Sequence, residues 1–137
     1  MIAICLFTHA DRILVTEVLD GDRVVGYRPL GGAVEWSERT SDAVTREIRE
    51  ELGIELLQPR LVTVIENLFT YRGEPGHEIV FVYDGEPSDR TLYDREPFTY
   101  MDCDVPARAM WMRLRDLGPS ASLFPKGLLE ILTATHG

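Results

Sequence analysis

The sequence predicts an α/β fold in which a mixed sheet is covered by helices on both faces. Two observations carry that expectation. Short runs rich in Ile, Val, Leu and Phe stand both before and after one charged, strongly periodic helix, and a second, apolar helix closes the chain. With 137 residues, 45% of them hydrophobic and 27% charged, the chain is expected to form one domain over residues 1–137, with a core that needs no disulfide. No internal repeat, linker or low-complexity tract interrupts it.

Residues 1–7 and 13–18 read as strands, and the polar break at 8–12 predicts that they pair as a hairpin. Asp20-Gly21-Asp22 marks a second turn. It leads into a short third strand at 24–28, stopped by Pro29 and by Gly31-Gly32. Ser37 or Thr40 is expected to cap a helix that runs to Leu52, with Gly53 where a C-cap belongs. Residues 60–68 and 78–83 are strand candidates joined by a loop at 69–77 that holds two glycines and a proline. Residues 84–107, rich in proline and acids, are expected to be irregular, with one strand near 91–93 or 98–101. Residues 108–114 read as a last strand, and Pro125 as the N1 residue of the closing helix, whose buried face holds Leu128, Leu129, Ile131 and Leu132.

Charge narrows the partners. A formal net charge of -9 without a basic cluster in the sequence disfavours a polynucleotide, and an anionic substrate would need a mediating divalent cation. The apolar run at the N-terminus is too short and lacks the flanks of a signal peptide or membrane span, so no membrane is expected. Cys5 and Cys103 stand far apart with no CxxC spacing. Reduced thiols in a cytoplasm are the expectation.

The central helix carries the chemistry. Val44, Ile48 and Leu52 recur at i, i+4, i+8 and form its core stripe. Glu47, Glu50 and Glu51, at i, i+3, i+4, crowd an adjacent face across an arc of roughly 100°. Three carboxylates so placed repel one another unless a cation lies between them, and Mg²⁺ or Mn²⁺ accepts oxygen ligands of that kind. Arg46, four residues before Glu50, can restrain that carboxylate, and the glycines at 31 and 32 allow a backbone carbonyl to come close. A solvated charged face is the plain alternative for such a helix in isolation.

The full series decides against it. Gly32, Glu38, Arg46-Glu47-Ile48, Glu50-Glu51 and Gly53-Ile54 follow the spacing GX5EX7REUXEEXGU, and the segment resembles the Nudix box at every specified position. The resemblance implies a Nudix-type α/β/α sandwich with a mixed, largely antiparallel central sheet. It implies hydrolysis of a diphosphate bond in a small nucleoside diphosphate-linked substrate, with Mg²⁺ or Mn²⁺ required. Glu50 and Glu51 then correspond to principal metal ligands, Glu47 to a further ligand or the base, Arg46 to the orienter of Glu50, and the Gly31 carbonyl to a main-chain ligand. Glu38 corresponds to an anchor between loop and helix. A late loop is expected to add a fourth carboxylate, for which Glu66, Glu78, Asp94 and Glu96 are candidates.

Specificity lies outside the box. The spacing of Tyr71 from Ile54 is similar to that of a tyrosine in diadenosine polyphosphate hydrolases of the family, and Phe69 and Tyr71 are the candidate base contacts. His77 is expected to be a satisfied surface histidine and Trp36 to pack. Two other readings stand beside the hydrolase: a Nudix-like nucleotide sensor without catalysis, disfavoured by the intact box, and a purely structural acidic domain. Apolar edge strands make a homodimer a further expectation.

Overall fold

The computed structural model describes residues 1–71 and 73–136. The strands are β1 (Ile2–Leu6), β2 (Thr8–His9), β3 (Arg12–Asp20), β4 (Arg23–Arg28), β5 (Leu30–Ala33), β6 (Leu56–Tyr71), β7 (Glu74–Pro87), β8 (Phe98–Asp102) and β9 (Val105–Arg113). The helices are α1 (Thr40–Leu52) and α2 (Leu128–His136), with single 3-10 turns at Arg90–Asp94 and Leu114–Asp116.

One sheet has the order β5-β1-β7-β6. The other runs β2-β3-β9-β8, with β4 beside β3. Every strand ladder among the described residues is antiparallel except β1 with β7, so the mixed, largely antiparallel expectation holds. Alternation along β1 explains the layering. Ala3 and Cys5 belong to the buried cluster that includes Ala43, Val44 and Ile48 of α1, whereas Ile4 and Leu6 join the cluster of Leu128 and Leu132 of α2. Strand β3 divides likewise, Leu14 toward the first cluster and Ile13 and Val15 toward the second. Both sheets thus share one central layer with a helix on either side.

Several boundaries differ from expectation. The first two strands do not form a ladder with each other: β1 lies between β5 and β7, and only β2 turns back on β3. Both strands are buried on both faces, which suits central positions in two sheets better than a half-exposed hairpin. Gly31 and Gly32 lie in β5 rather than in a loop, since the missing side chains let that strand cross β1 closely. A Cβ on Gly31, whose φ is 151°, would stand 2.7 Å from the Ile4 Cα.

The loop expected at 69–77 is instead the end of a long hairpin, paired as far as Tyr71 with Glu74; residue 72 lies outside the described residues. The Phe69 ring covers Gly76 directly across the ladder, filling the gap that the glycine leaves. Residues 91–93 form the 3-10 turn, 98–102 the strand, and β9 begins at Val105. Helix α1 has Arg39 at its N-cap and no side-chain cap, because the Thr40 hydroxyl bonds to Tyr83 Oη at 2.6 Å. Gly53 closes it in the left-handed conformation, its N–H donating to the Arg49 carbonyl at 2.9 Å. Helix α2 starts at Leu128 rather than Pro125, since Gly127 has φ 94° and cannot continue a helical turn.

Candidate active site

The three glutamates of α1 stand in different environments. Glu47 and Glu51, one turn apart, are buried, while the Glu50 side chain is 56% exposed. Arg46 is the hub beside them. Its Nε donates to Glu38 Oε2 at 2.9 Å and its Nη2 to Glu38 Oε1 at 3.0 Å, a two-point fork. Nη2 also reaches the Ala33 carbonyl at 3.0 Å, and Nη1 reaches Glu47 Oε1 at 3.0 Å. Its contacts with Glu50 are longer, 3.3 and 3.4 Å. Arg46 was expected chiefly to orient Glu50; its tightest partners are Glu38 and Glu47. Glu38 does tie the loop to the helix, accepting also from the Glu35 N–H at 3.1 Å.

Strand β5 supplies the opposite wall. A Cβ on Gly32 would lie 2.5 Å from Glu47 Cδ, so the absence of a side chain there makes room for that carboxylate. A cavity of about 290 Å³ opens over Gly31 and Gly32, with Ile2, Ile4 and Val80 as apolar lining and Arg28, Asn67, Glu78 and Asp102 as polar lining. A larger one of about 820 Å³ adjoins it, walled by Phe69, Tyr71, Leu68 and Val25 with Asp20 and Lys126. The two share Arg28, Asn67, Glu78 and Phe124 as a common waist. Phe69 and Tyr71 therefore stand at the cleft.

Electrostatics single out Glu51. Neither of its buried carboxylate oxygens has a hydrogen-bond partner, and the Tyr100 hydroxyl faces it without reaching hydrogen-bond geometry. Burial first, then the charges of Asp102 and Glu47, push its pKa up to about 8, with Arg28 and the nearby Tyr100 hydroxyl pulling the other way. Burial likewise raises Glu47 above the usual carboxylate range, against the pull of Arg46. The hydrogen bonds from Arg46 hold Glu38 low.

A buried carboxylate with no partner is costly, and a hard divalent cation would satisfy it. The donor set fits such an ion: carboxylate oxygens on α1 and a glycine backbone beside them. Among the described residues no three His, Cys, Asp or Glu side chains already converge as ligands, so a cation would have to draw them together.

Across residues 2–132 the chain matches the family model of the NUDIX domain. The chain belongs to the Nudix hydrolase family. Solved structures agree with the fold: a MutT NUDIX hydrolase from Burkholderia pseudomallei is 26% identical with a TM-score of 0.69, over 96% of this chain and 95% of that one. A NUDIX hydrolase from Nitrosomonas europaea, 18% identical, superposes with a TM-score of 0.71 over 98% of this chain and 86% of its own. The E. coli ORF135 protein, 20% identical, gives 0.61 over 99% and 89%. No curated protein matches the sequence.

Beyond the Nudix box, the structure rearranges the candidates. Of the four acids considered for a late ligand, only Glu78 lines the cavities; Glu66 pairs with His77 at 3.2 Å, and Asp94 and Glu96 are exposed near the 3-10 turn. His77 stands at the surface beside that acid, in keeping with the expectation of a surface or satisfied histidine. The acid coupled to Glu47 and Glu51 is Asp102, at the tip of the β8–β9 hairpin, where it also meets Arg28 at 3.6 Å. The signal was present in Met-Asp-Cys-Asp-Val. Cys103 and Asp104 both have positive φ, forming the two-residue turn that such a polar pair permits. Trp36, expected to pack, is 97% exposed on the loop before α1. No helix among the described residues is long and apolar enough to cross a membrane.

Proposed function

We propose that this chain is a divalent-metal-dependent hydrolase that cleaves a diphosphate bond in a small nucleoside diphosphate-linked substrate, with water as the nucleophile. The observation that carries the reading is the pair of unpartnered, buried Glu51 oxygens on the face of α1 that also bears Glu47 and Glu50. Glu51, Glu50, Glu47 and the Gly31 carbonyl are the groups that would hold Mg²⁺ or Mn²⁺. The bound ion supplies charge neutralisation on the diphosphate and a more acidic water.

The protein's own groups do the rest. Arg46 fixes one oxygen of Glu47 and ties the helix to Glu38 and Ala33, so the carboxylates keep their places as charge moves. The other oxygen of Glu47 serves either as a further ligand or as the base that takes a proton from water, and burial raises its affinity for that proton. Arg28, at the cleft waist, offers positive charge to phosphate oxygens. A dinucleoside polyphosphate is the second reading, supported by Tyr71 on the wall of the larger cavity, which could receive a second nucleoside.

A panel of ADP-ribose, dinucleoside polyphosphates, nucleotide sugars and nucleoside triphosphates, incubated with Mg²⁺ or Mn²⁺, tests the reading. At least one should be hydrolysed, and Glu50→Gln and Glu51→Gln should abolish turnover. A panel without turnover, or variants as active as the parent, would refute it.

A further inference from the structure

Asn67 and Glu78 are Cα partners across the β6–β7 ladder, on the face that also presents Val80 and Phe69. Asn67 Nδ2 donates to Glu78 Oε1 at 3.5 Å, a long bond that leaves most of the carboxylate's accepting capacity unused. Both side chains are half-buried, and both line each of the two cavities, where Phe124 offers an aromatic surface. The waist therefore brings together an aromatic residue, a carboxylate and an amide.

We propose that Asn67 and Glu78 read the edge of a purine at the cleft waist and select guanine over adenine. The inference rests on the hydrolase reading above and names the base of its substrate. Guanine carries adjacent N1–H and N2–H donors that one carboxylate accepts together, with O6 left for the Asn67 amide. Adenine sets a lone pair at N1, facing the carboxylate with a second acceptor and leaving Glu78 partly unpaired. Glu78 is then a specificity residue, distinct in its effect from a metal-ligating acid.

The experiment compares GTP with ATP, and GMP with AMP, on the intact chain and on Glu78→Gln. With Mg²⁺, kcat/KM should favour GTP by about tenfold or more, and Glu78→Gln should narrow that preference to about threefold or less, chiefly through a higher KM for GTP. Equilibrium titration should show GMP binding tighter than AMP in the parent only. A preference for adenine, no preference in either measurement, or a Glu78→Gln loss of kcat equal for both nucleotides would overturn the proposal. Absence of turnover combined with a GMP preference would instead strike the hydrolase reading and leave base selection standing.

Discussion

Replacing Glu51 by Gln should flatten the pH dependence of folding stability in the metal-free protein. The carboxyl has an ordinary pKa of 4.5, whereas burial and the neighbouring acids raise it to about 8 in the folded chain. A carboxyl raised in this way binds more protons folded than unfolded, so its effect is absent below the ordinary value and destabilising as pH climbs through the folded one. At about 1.4 kcal/mol per pH unit of separation, holding it ionised in place costs up to about 5 kcal/mol. Between about pH 6 and about pH 9 the parent should lose about 2–3 kcal/mol that the glutamine variant keeps. Urea unfolding in EDTA at the two pH values measures this directly, and comparing slopes removes any pH-independent effect of the amide. Adding Mg²⁺ at the higher pH should stabilise the parent far more than the variant. Equal slopes for the two proteins would refute the claim that an unpartnered, ionisable Glu51 is poised for a cation.

Three further substitutions probe the same site. Arg46→Lys keeps the charge but cannot span Glu38, Glu47 and the Ala33 carbonyl, so denaturant titration should show a loss of about 2 kcal/mol alongside reduced kcat. Gly32→Ala would set a methyl group 2.5 Å from Glu47 Cδ; kcat should fall by about a hundredfold while the stability loss stays within about 1–3 kcal/mol, and an unimpaired enzyme would show that Glu47 does not need that space. Phe69→Ala strips an aromatic wall from the larger cavity and should raise KM by about three- to tenfold with little change in kcat, read from steady-state kinetics on the best substrate of the panel.

What could be read in advance was what local pattern determines. The helical stripe of Val44 and Ile48, the carboxylate face and the Gly53 cap all follow from spacing along one element, and the structure bears them out. Long-range choices were hidden. Nothing in residues 1–18 says that β1 will leave β3 for β5 and β7, because a strand buried on both faces carries no alternation to mark its neighbour. The extension of the β6–β7 hairpin was obscured by Gly73 and Gly76, which signal a loop until Phe69 is seen covering the second of them. Asp102 was missed for the same reason: its proximity to Glu51 depends on β8 folding back along β9, not on any spacing within the box.

The parallel seam between β1 and β7 bears on how the protein acquires its shape in time. Ile2 pairs with Val80 and Leu6 with Asp84, so closing this seam means joining segments far apart along the chain, an entropic cost met before much burial offsets it. Ile2, Ile4 and Val80, the apolar floor of the smaller cavity, are brought together by that one step. Ligand-binding competence should therefore emerge in the slow, global phase of refolding, after helix α1 and the β6–β7 hairpin have formed locally. A ribosome that has not yet delivered β7 holds a chain with the Nudix box complete in sequence and no cleft for it to serve.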